Sequence, residues 1–123
     1  MPSTGVDRNT GQVLRGLDHV RQSVAVIFTT RLLSRLMRRA FGSAVPVLLG
    51  RSNLTRPELL RFYTAVHIAI RLWEPRLRSL RVSYPKNSTS GARQGKLGMR
   101  LRCRYFPEAL SGDLTSDVVD IDL

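Results

Sequence analysis

Residues 72–76, Leu72-Trp73-Glu74-Pro75-Arg76, mark where helical structure gives way to extended structure in this 123-residue chain. Pro75 lacks a backbone donor and disfavours helical dihedral angles at the preceding residue, so the helix is predicted to end near Trp73. Glu74 then lies at the negative end of a helix dipole, which costs about 0.3–1 kcal/mol unless a cation is close. A cation of another chain is one candidate partner. The local candidates are Arg71, Arg76 and Arg78.

An apolar stripe leads into this stretch and predicts a helix over residues 56–73. Thr55 and Glu58 have the spacing of a capping box, and Pro57 falls in the first turn, where a missing donor costs little. The stripe itself follows helical spacing and consists of Leu59, Tyr63, Val66, Ile70 and Trp73.

Two more helices are predicted closer to the amino terminus, after an irregular arm over residues 1–17. Asp18 is a candidate N-cap for a helix over residues 18–29. Residues 31–39 alternate arginines with apolar side chains at helical spacing, which predicts a short basic helix closed by Gly42. The apolar face of the first helix consists of Val20, Val24, Ile27 and Phe28.

The period of the apolar pattern changes to two after Arg76, which predicts strands over residues 76–84, 96–106 and 117–123. In the second strand Cys103 alternates in phase with apolar neighbours and is assigned to the core. Asp120 and Asp122 are expected to pair with the arginines of the preceding strand. The prediction is a single α+β domain over residues 1–123, with a helical part (18–75) and a small antiparallel sheet (76–123).

The net charge of +11 is the strongest feature of the composition and favours an acidic partner: nucleic acid, an anionic membrane surface or an acidic protein face. One cysteine permits no internal disulfide, and the apolar runs are too short to span a membrane. Without a signal peptide at the amino terminus, the chain is expected to be made in the cytosol.

No pattern of residues indicates catalysis. Glu58 and Glu74 would lie about 24 Å apart along one helix, too far for a carboxylate pair. There is no glycine-rich phosphate loop, and His19, His67 and Cys103 lack metal-ligand spacing. The sequence therefore predicts a protein without enzymatic activity, metal or cofactor.

A sheet of three strands has two open edges, and the last predicted strand runs to the end of the sequence given. An uncovered edge can accept a strand from a partner, which is β-augmentation. A short charged edge that needs no partner is the alternative.

Several motifs resemble the GPW family of phage baseplate wedge proteins, which includes a component of the type VI secretion baseplate. They run from residue 7 to about residue 105, and the family's Glu-Pro-Arg motif falls on Glu74, Pro75 and Arg76. Ala40 replaces a common acidic residue, and Thr30-Arg31-Leu32-Leu33 stands where the family has Thr-Pro-x-Gly. The other motifs are Asp7-Arg8-Asn9-Thr10-Gly11, residues 16–23 (GLDHVRQS) and residues 34–43 (SRLMRRAFGS).

The resemblance implies a structural protein of a virion tail baseplate, assembled in the host cytoplasm, with six copies in a ring around the tail axis. Its implied partners are other wedge proteins, the sheath subunit and tube or hub proteins, without nucleic acid or membrane insertion. Glu74, Pro75 and Arg76 would contact the wedge bundle. The sheet would template the first sheath ring by accepting sheath strands, at a site predicted to comprise Arg100, Arg102, Val118, Val119, Asp120, Ile121 and Asp122.

Two other functions remain open at this point. A small basic nucleic-acid-binding domain would use the basic face of the second strand, and a cell-wall hydrolase would depend on Glu74. For the wedge protein, Glu74→Ala and Arg76→Ala are expected to leave the monomer folded and to block sheath assembly.

Overall fold

The computed structural model describes residues 3–48, 55–83 and 98–122, and these form a mixed α+β structure, as predicted. The predicted strand ends at Tyr84, 96–97 and Leu123 lie outside the described residues. In chain order the elements are β1 (Thr4–Val6), β2 (Val13–Arg15), α1 (Gly16–Thr29), α2 (Val45–Leu48), α3 (Arg56–Trp73), β3 (Leu77–Ser83), β4 (Arg100–Tyr105) and β5 (Asp117–Asp122).

The amino-terminal arm, which is predicted to be irregular, contains a β-hairpin. β1 and β2 pair in antiparallel fashion, with Thr4 opposite Arg15 and Val6 opposite Val13. Asp7 accepts hydrogen bonds from the Asn9 backbone and from the Thr10 hydroxyl in the turn between them. The turn chemistry in this segment is visible in the sequence, but strands of three residues are too short to give a period.

The apolar face predicted for α1 is confirmed: Val20, Val24, Ile27 and Phe28 are all buried. The predicted N-cap is wrong, because α1 begins at Gly16, directly after β2. Gly16 has a φ of +56° and allows the chain to turn from strand into helix. Asp18 therefore lies in the first turn and pairs with Arg21.

The helix predicted over residues 31–39 is absent, and this segment is an exposed loop. Ser43 closes the loop: its N–H donates to the Thr30 carbonyl and its hydroxyl donates to the Ile27 carbonyl. These bonds satisfy carbonyls at the end of α1. They also return the chain to the end of α1, so the intervening residues have no core surface against which a helix could pack. Gly42 accordingly lies at the base of a loop and does not cap a helix.

Helix α3 has the predicted bounds, but its side-chain cap differs. Thr55 occupies the N-cap position and makes no side-chain capping hydrogen bond, so the predicted capping box does not form. The most deeply buried side chains are Phe62, Val66, Ala69 and Ile70. Leu59, Tyr63 and Trp73 of the predicted stripe are only partly buried.

The carboxy-terminal half forms an antiparallel sheet in the order β3-β4-β5. Burial alternates along β4, where Leu101, Cys103 and Tyr105 face the core and the arginines between them are exposed. The core prediction for Cys103 is confirmed. Its burial raises the pKa of the thiol to about 11. The other face of the sheet carries the exposed arginines.

Candidate functional site

The corner between α3 and β3 is built as the sequence predicts. α3 ends at Trp73, and the Glu74 N–H still donates to the Ile70 carbonyl at 2.9 Å. The Leu77 N–H then donates to the Glu74 carbonyl, which closes a turn with Pro75 exposed at its outside. Pro75 thus fixes the direction in which the chain leaves the helix.

Glu74 and Arg76 form a buried ion pair within this corner. Arg76 Nε donates to Oε1 of Glu74 at 2.6 Å, and Nη2 donates to Oε2 at 2.8 Å. The exposed fraction is 1% for the Glu74 side chain and 9% for the Arg76 side chain. A bidentate guanidinium–carboxylate pair is among the strongest charged contacts. Of the partners considered for Glu74, the structure therefore supplies a local one.

Arg76 also ties the corner to two distant parts of the chain. Its Nη1 donates to Ser3 Oγ beside the hairpin and to His19 Nδ1 on α1, the latter at 3.0 Å. A guanidinium has no acceptor, so Nδ1 of His19 must accept and the ring proton is assigned to Nε2. This role of His19 is not visible in the sequence, since nothing local connects residues that lie 57 positions apart.

The hairpin lies directly on this network. A Cβ at Gly5 would come within 2.3 Å of the His19 ring, so only glycine permits this approach of β1 to α1. Tyr105 lies nearby, and its buried hydroxyl finds no hydrogen-bond partner among the described residues. Burial raises the pKa of Tyr105, and the nearby Arg76 cation opposes that shift.

A cleft of about 770 Å³ opens beside the exposed side of the corner. It is bounded by the last turns of α3, by β3 and by the segment that follows β4. Its lining combines apolar side chains with three arginines. All aspartates and glutamates of the chain lie within the described residues, and none of them forms a salt bridge with these arginines. The residues that define its chemistry are Arg71, Arg78, Arg104, Ile70, Leu77, Phe106 and Leu114.

The exposed face of the sheet carries two pairs of opposite charge and two pairs of like charge. Arg100 donates to Asp122 at 2.7 Å and Arg102 donates to Asp120 at 3.0 Å, as predicted for this face. These bonds lower the pKa of both aspartates below the ordinary value. In the register of β3 and β4, by contrast, one arginine lies opposite another: Arg78 faces Arg104, and Arg81 faces Arg102.

The topology separates the residues predicted as the strand acceptor. β4 pairs with β3 on one side and with β5 on the other, so Arg100 and Arg102 lie at the centre of the sheet. They cannot belong to an edge, which corrects that part of the prediction. The remaining predicted residues, Val118, Val119, Asp120, Ile121 and Asp122, lie on β5. No described strand pairs with the outer edge of β5.

The described residues contain no group of three or more histidine, cysteine or acidic side chains that could hold a metal ion. Among the same residues, no helix combines the length and the apolar character required to cross a membrane.

Residues 14–106 match the family model described as baseplate wedge protein gp25. The baseplate protein W of Escherichia phage P2 is 33% identical over 73 residues, which cover 59% of this chain and 63% of that protein. The aligned region thus spans less than two thirds of the length of this relative.

Two solved structures have a similar fold. A chain in the postcontracted baseplate of pyocin R2 superposes with a TM-score of 0.63 at 24% identity, over 98% of this chain and 97% of that chain. A Geobacter sulfurreducens protein, described as a candidate tail lysozyme, superposes with a TM-score of 0.60 at 23% identity, over 91% and 94%. At these identities the likeness concerns the fold.

Proposed function

The chain belongs to the baseplate wedge protein gp25 family, and on this premise we propose that it is a single-domain structural component of the baseplate of a contractile phage tail or tail-like particle. In this role it joins the wedge bundle to the sheath, with six copies around the tail axis, and it templates the first sheath ring by accepting a strand of the sheath subunit.

The observation that carries this proposal is the open edge of β5. The strand is six residues long, pairs only with β4 among the described strands, and offers backbone donors and acceptors on its other side. A strand added there extends the sheet to four strands and satisfies those groups. Val118 is 60% exposed on this strand and provides apolar contact area for the added chain.

The wedge contact is proposed at the exposed side of the corner. The charged groups of Glu74 and Arg76 bind one another inside the fold and are not exposed to a partner. Their role in the contact is to hold the backbone of the corner in position. Pro75 and the cleft provide the surface. The arginines of the cleft, which form no salt bridge within the described ranges, lie next to an apolar floor and suit a partner segment with both acidic and apolar side chains.

This role requires no catalysis. The carboxylate of Glu74 accepts two hydrogen bonds from Arg76 and is shielded from solvent. It therefore cannot reach a substrate as the general acid of a lysozyme-like reaction. The likeness to the Geobacter sulfurreducens protein concerns the fold, and the role proposed here assigns Glu74 no catalytic part. We expect purified wild-type protein to leave peptidoglycan uncleaved.

Cryo-electron microscopy of the assembled particle tests the strand-addition role. We expect a segment of the sheath subunit to run along the outer edge of β5 with continuous backbone hydrogen bonds. A particle in which residues of this same chain cover that edge, or in which the edge contacts no sheath, would contradict the templating role.

Charge reversal in the cleft tests the wedge contact separately. Arg78→Glu and Arg104→Glu are expected to reduce incorporation into particles at least tenfold, and Arg8→Glu in the hairpin turn is the matched exposed control. Duplex DNA distinguishes the nucleic-acid alternative: tight binding with a steep salt dependence, lost in the same two variants, would favour that function instead.

A further inference from the structure

The loop of residues 31–40 exposes apolar side chains to an unusual degree. All ten residues are exposed, including Leu33 at 75%, Leu36 at 86% and Met37 at 100%. Single exposed apolar residues are common on protein surfaces, whereas several within one short loop indicate an interaction surface. Neither the β5 edge nor the cleft beside Pro75 includes any of them.

The loop is held in a defined shape. The Leu33 N–H donates to the Arg39 carbonyl at 3.0 Å across the loop, and the Ser34 hydroxyl donates to the Arg31 carbonyl at 2.6 Å. Leu33 itself has a φ of +66°, in the left-handed region that leucine rarely adopts. The internal bonds thus maintain a strained backbone whose side chain points into solvent. Such strain is concentrated at sites with a function.

Two of the four arginines of the loop, Arg35 and Arg38, stack on aromatic rings. The Arg35 guanidinium lies 4.6 Å from the Phe41 ring centroid, and that of Arg38 lies 5.8 Å from both the Phe41 and Trp73 rings. Such stacking fixes the cation while leaving its hydrogen-bond donors free. The loop contains no acidic residue, and none of its arginines forms a salt bridge within the described structure.

We propose that the 31–40 loop docks into an apolar recess with an acidic rim on a neighbouring protein chain. Leu33, Leu36 and Met37 would fill the recess, and the arginines around them would meet the carboxylates of the rim. A peripheral membrane site is typically an amphipathic helix lying in the interface, and this segment is a compact loop. Phosphates would engage the arginines and leave the exposed apolar side chains without a partner.

This inference rests on the proposed function, because it takes the neighbour to be another protein of the baseplate. A photo-crosslinking amino acid in place of Met37, in assembled particles, identifies that neighbour. We expect a cross-link to a peptide that contains apolar residues flanked by aspartate or glutamate. Particles that contain the labelled chain but give no cross-link at this position would overturn the docking proposal alone. Absence of the unlabelled wild-type chain from particles would contradict the baseplate role itself.

A double variant, Leu36→Asp with Met37→Asp, tests the chemistry of the contact. Both side chains are almost entirely in solvent, so we expect an unchanged melting temperature and at least a tenfold loss of incorporation. Leu60→Asp, at an exposed position of α3, is the matched control and should incorporate normally. Normal incorporation of the double variant would overturn the proposal. Binding of wild-type protein, but not of the double variant, to phosphatidylglycerol vesicles would also overturn the proposal, since the loop would then bind a membrane surface.

Discussion

Arg76 donates two hydrogen bonds to the carboxylate of Glu74, its neighbour but one in the sequence, and both side chains are buried where a helix meets a strand. The helix brings Glu74 to this place and Pro75 turns the chain so that Arg76 can face it. A charge buried in this way is stable only while its partner is present.

Removing one member of the pair should therefore destabilise the isolated protein. For Glu74→Ala or Arg76→Ala we expect the free energy of unfolding to fall by about 3–5 kcal/mol, because the remaining charge stays buried without a partner. Urea denaturation measures the loss. This revises the expectation, drawn from the sequence, that both variants leave the monomer folded.

The exposed pair of Asp18 and Arg21 provides the control. Asp18→Ala should change the free energy of unfolding by less than about 1 kcal/mol, as is usual for surface pairs.

In the double variant Glu74→Ala with Arg76→Ala, the loss of free energy of unfolding should be smaller than the sum of the two single losses. Additive losses would show that the two residues do not act as a pair.

Gly42 should be the least replaceable glycine among those with positive φ. Its φ is +135°, and an added Cβ would lie 2.8 Å from the Thr30 carbonyl oxygen. Gly112 has a φ of +89° with open space around it, so Gly112→Ala carries only the conformational cost of about 1–2 kcal/mol. Gly42→Ala carries a similar cost together with the clash, and should lower the melting temperature further.

The fluorescence of Trp73 provides a second measurement for comparing the Gly42→Ala and Gly112→Ala variants. Its indole N–H donates to the Gly42 carbonyl at 3.0 Å, and it is the single tryptophan of the chain. We expect Gly42→Ala to change the fluorescence of the folded state and Gly112→Ala to leave it unchanged. Equal effects of the two variants on stability and fluorescence would refute the close packing at the base of the loop.

The aspartates of β5 should make the stability of the sheet depend on pH. Hydrogen bonds from Arg100 and Arg102 lower the pKa of Asp122 and Asp120 in the folded state below the unfolded value, which is about 3.9. Their contribution is therefore complete at pH values above the unfolded pKa and is lost as the pH falls through the lowered folded pKa. The double variant Asp120→Asn with Asp122→Asn should lose less stability on acidification than the wild type.

Urea midpoints measured between pH 7 and pH 2 provide the test. Added salt should reduce the difference between the two proteins at pH 7, because both pairs are exposed and therefore screened. An identical acid dependence in wild type and double variant would exclude a contribution from these pairs.

Tyr105→Phe should be neutral or stabilising, which is unusual for a buried residue. The hydroxyl is buried without a hydrogen-bond partner in the described structure, so its removal eliminates a desolvation cost of about 1–3 kcal/mol that no bond offsets. Tyr105→Leu is the contrasting variant, because it removes ring contacts with the core and should destabilise. A clear loss of stability in Tyr105→Phe would reveal a hydrogen-bond partner of the hydroxyl in solution.

The sequence predicts those parts of the fold that depend on the residue pattern within a single helix or strand. The apolar face of α1, the end of α3 before Pro75 and the alternation along β4 each arise from a single period or a single residue type. The 31–39 segment has the helical period as well, yet it forms a loop. Its apolar residues meet no core, because Ser43 closes the chain onto the end of α1.

The candidate site could be predicted only in part, for a related reason. The sequence identifies Glu74, Pro75 and Arg76 and offers a local partner for Glu74, but it does not indicate that the pair is buried. The contacts of Arg76 with Ser3 and His19 join residues that no periodicity relates. The central place of β4 likewise depends on strand order, which separates Arg100 and Arg102 from the sheet edge.

The three-way contact of Ser3, His19 and Arg76 also has a kinetic consequence. It joins positions that are 57 and 73 residues apart, and closing such long loops costs entropy, so we expect this contact to form late in folding. The turn at Pro75 and the pairing of Arg76 with Glu74 need only neighbouring residues and should form earlier. The anchoring of the corner to the hairpin and to α1 is thus expected among the last steps of folding.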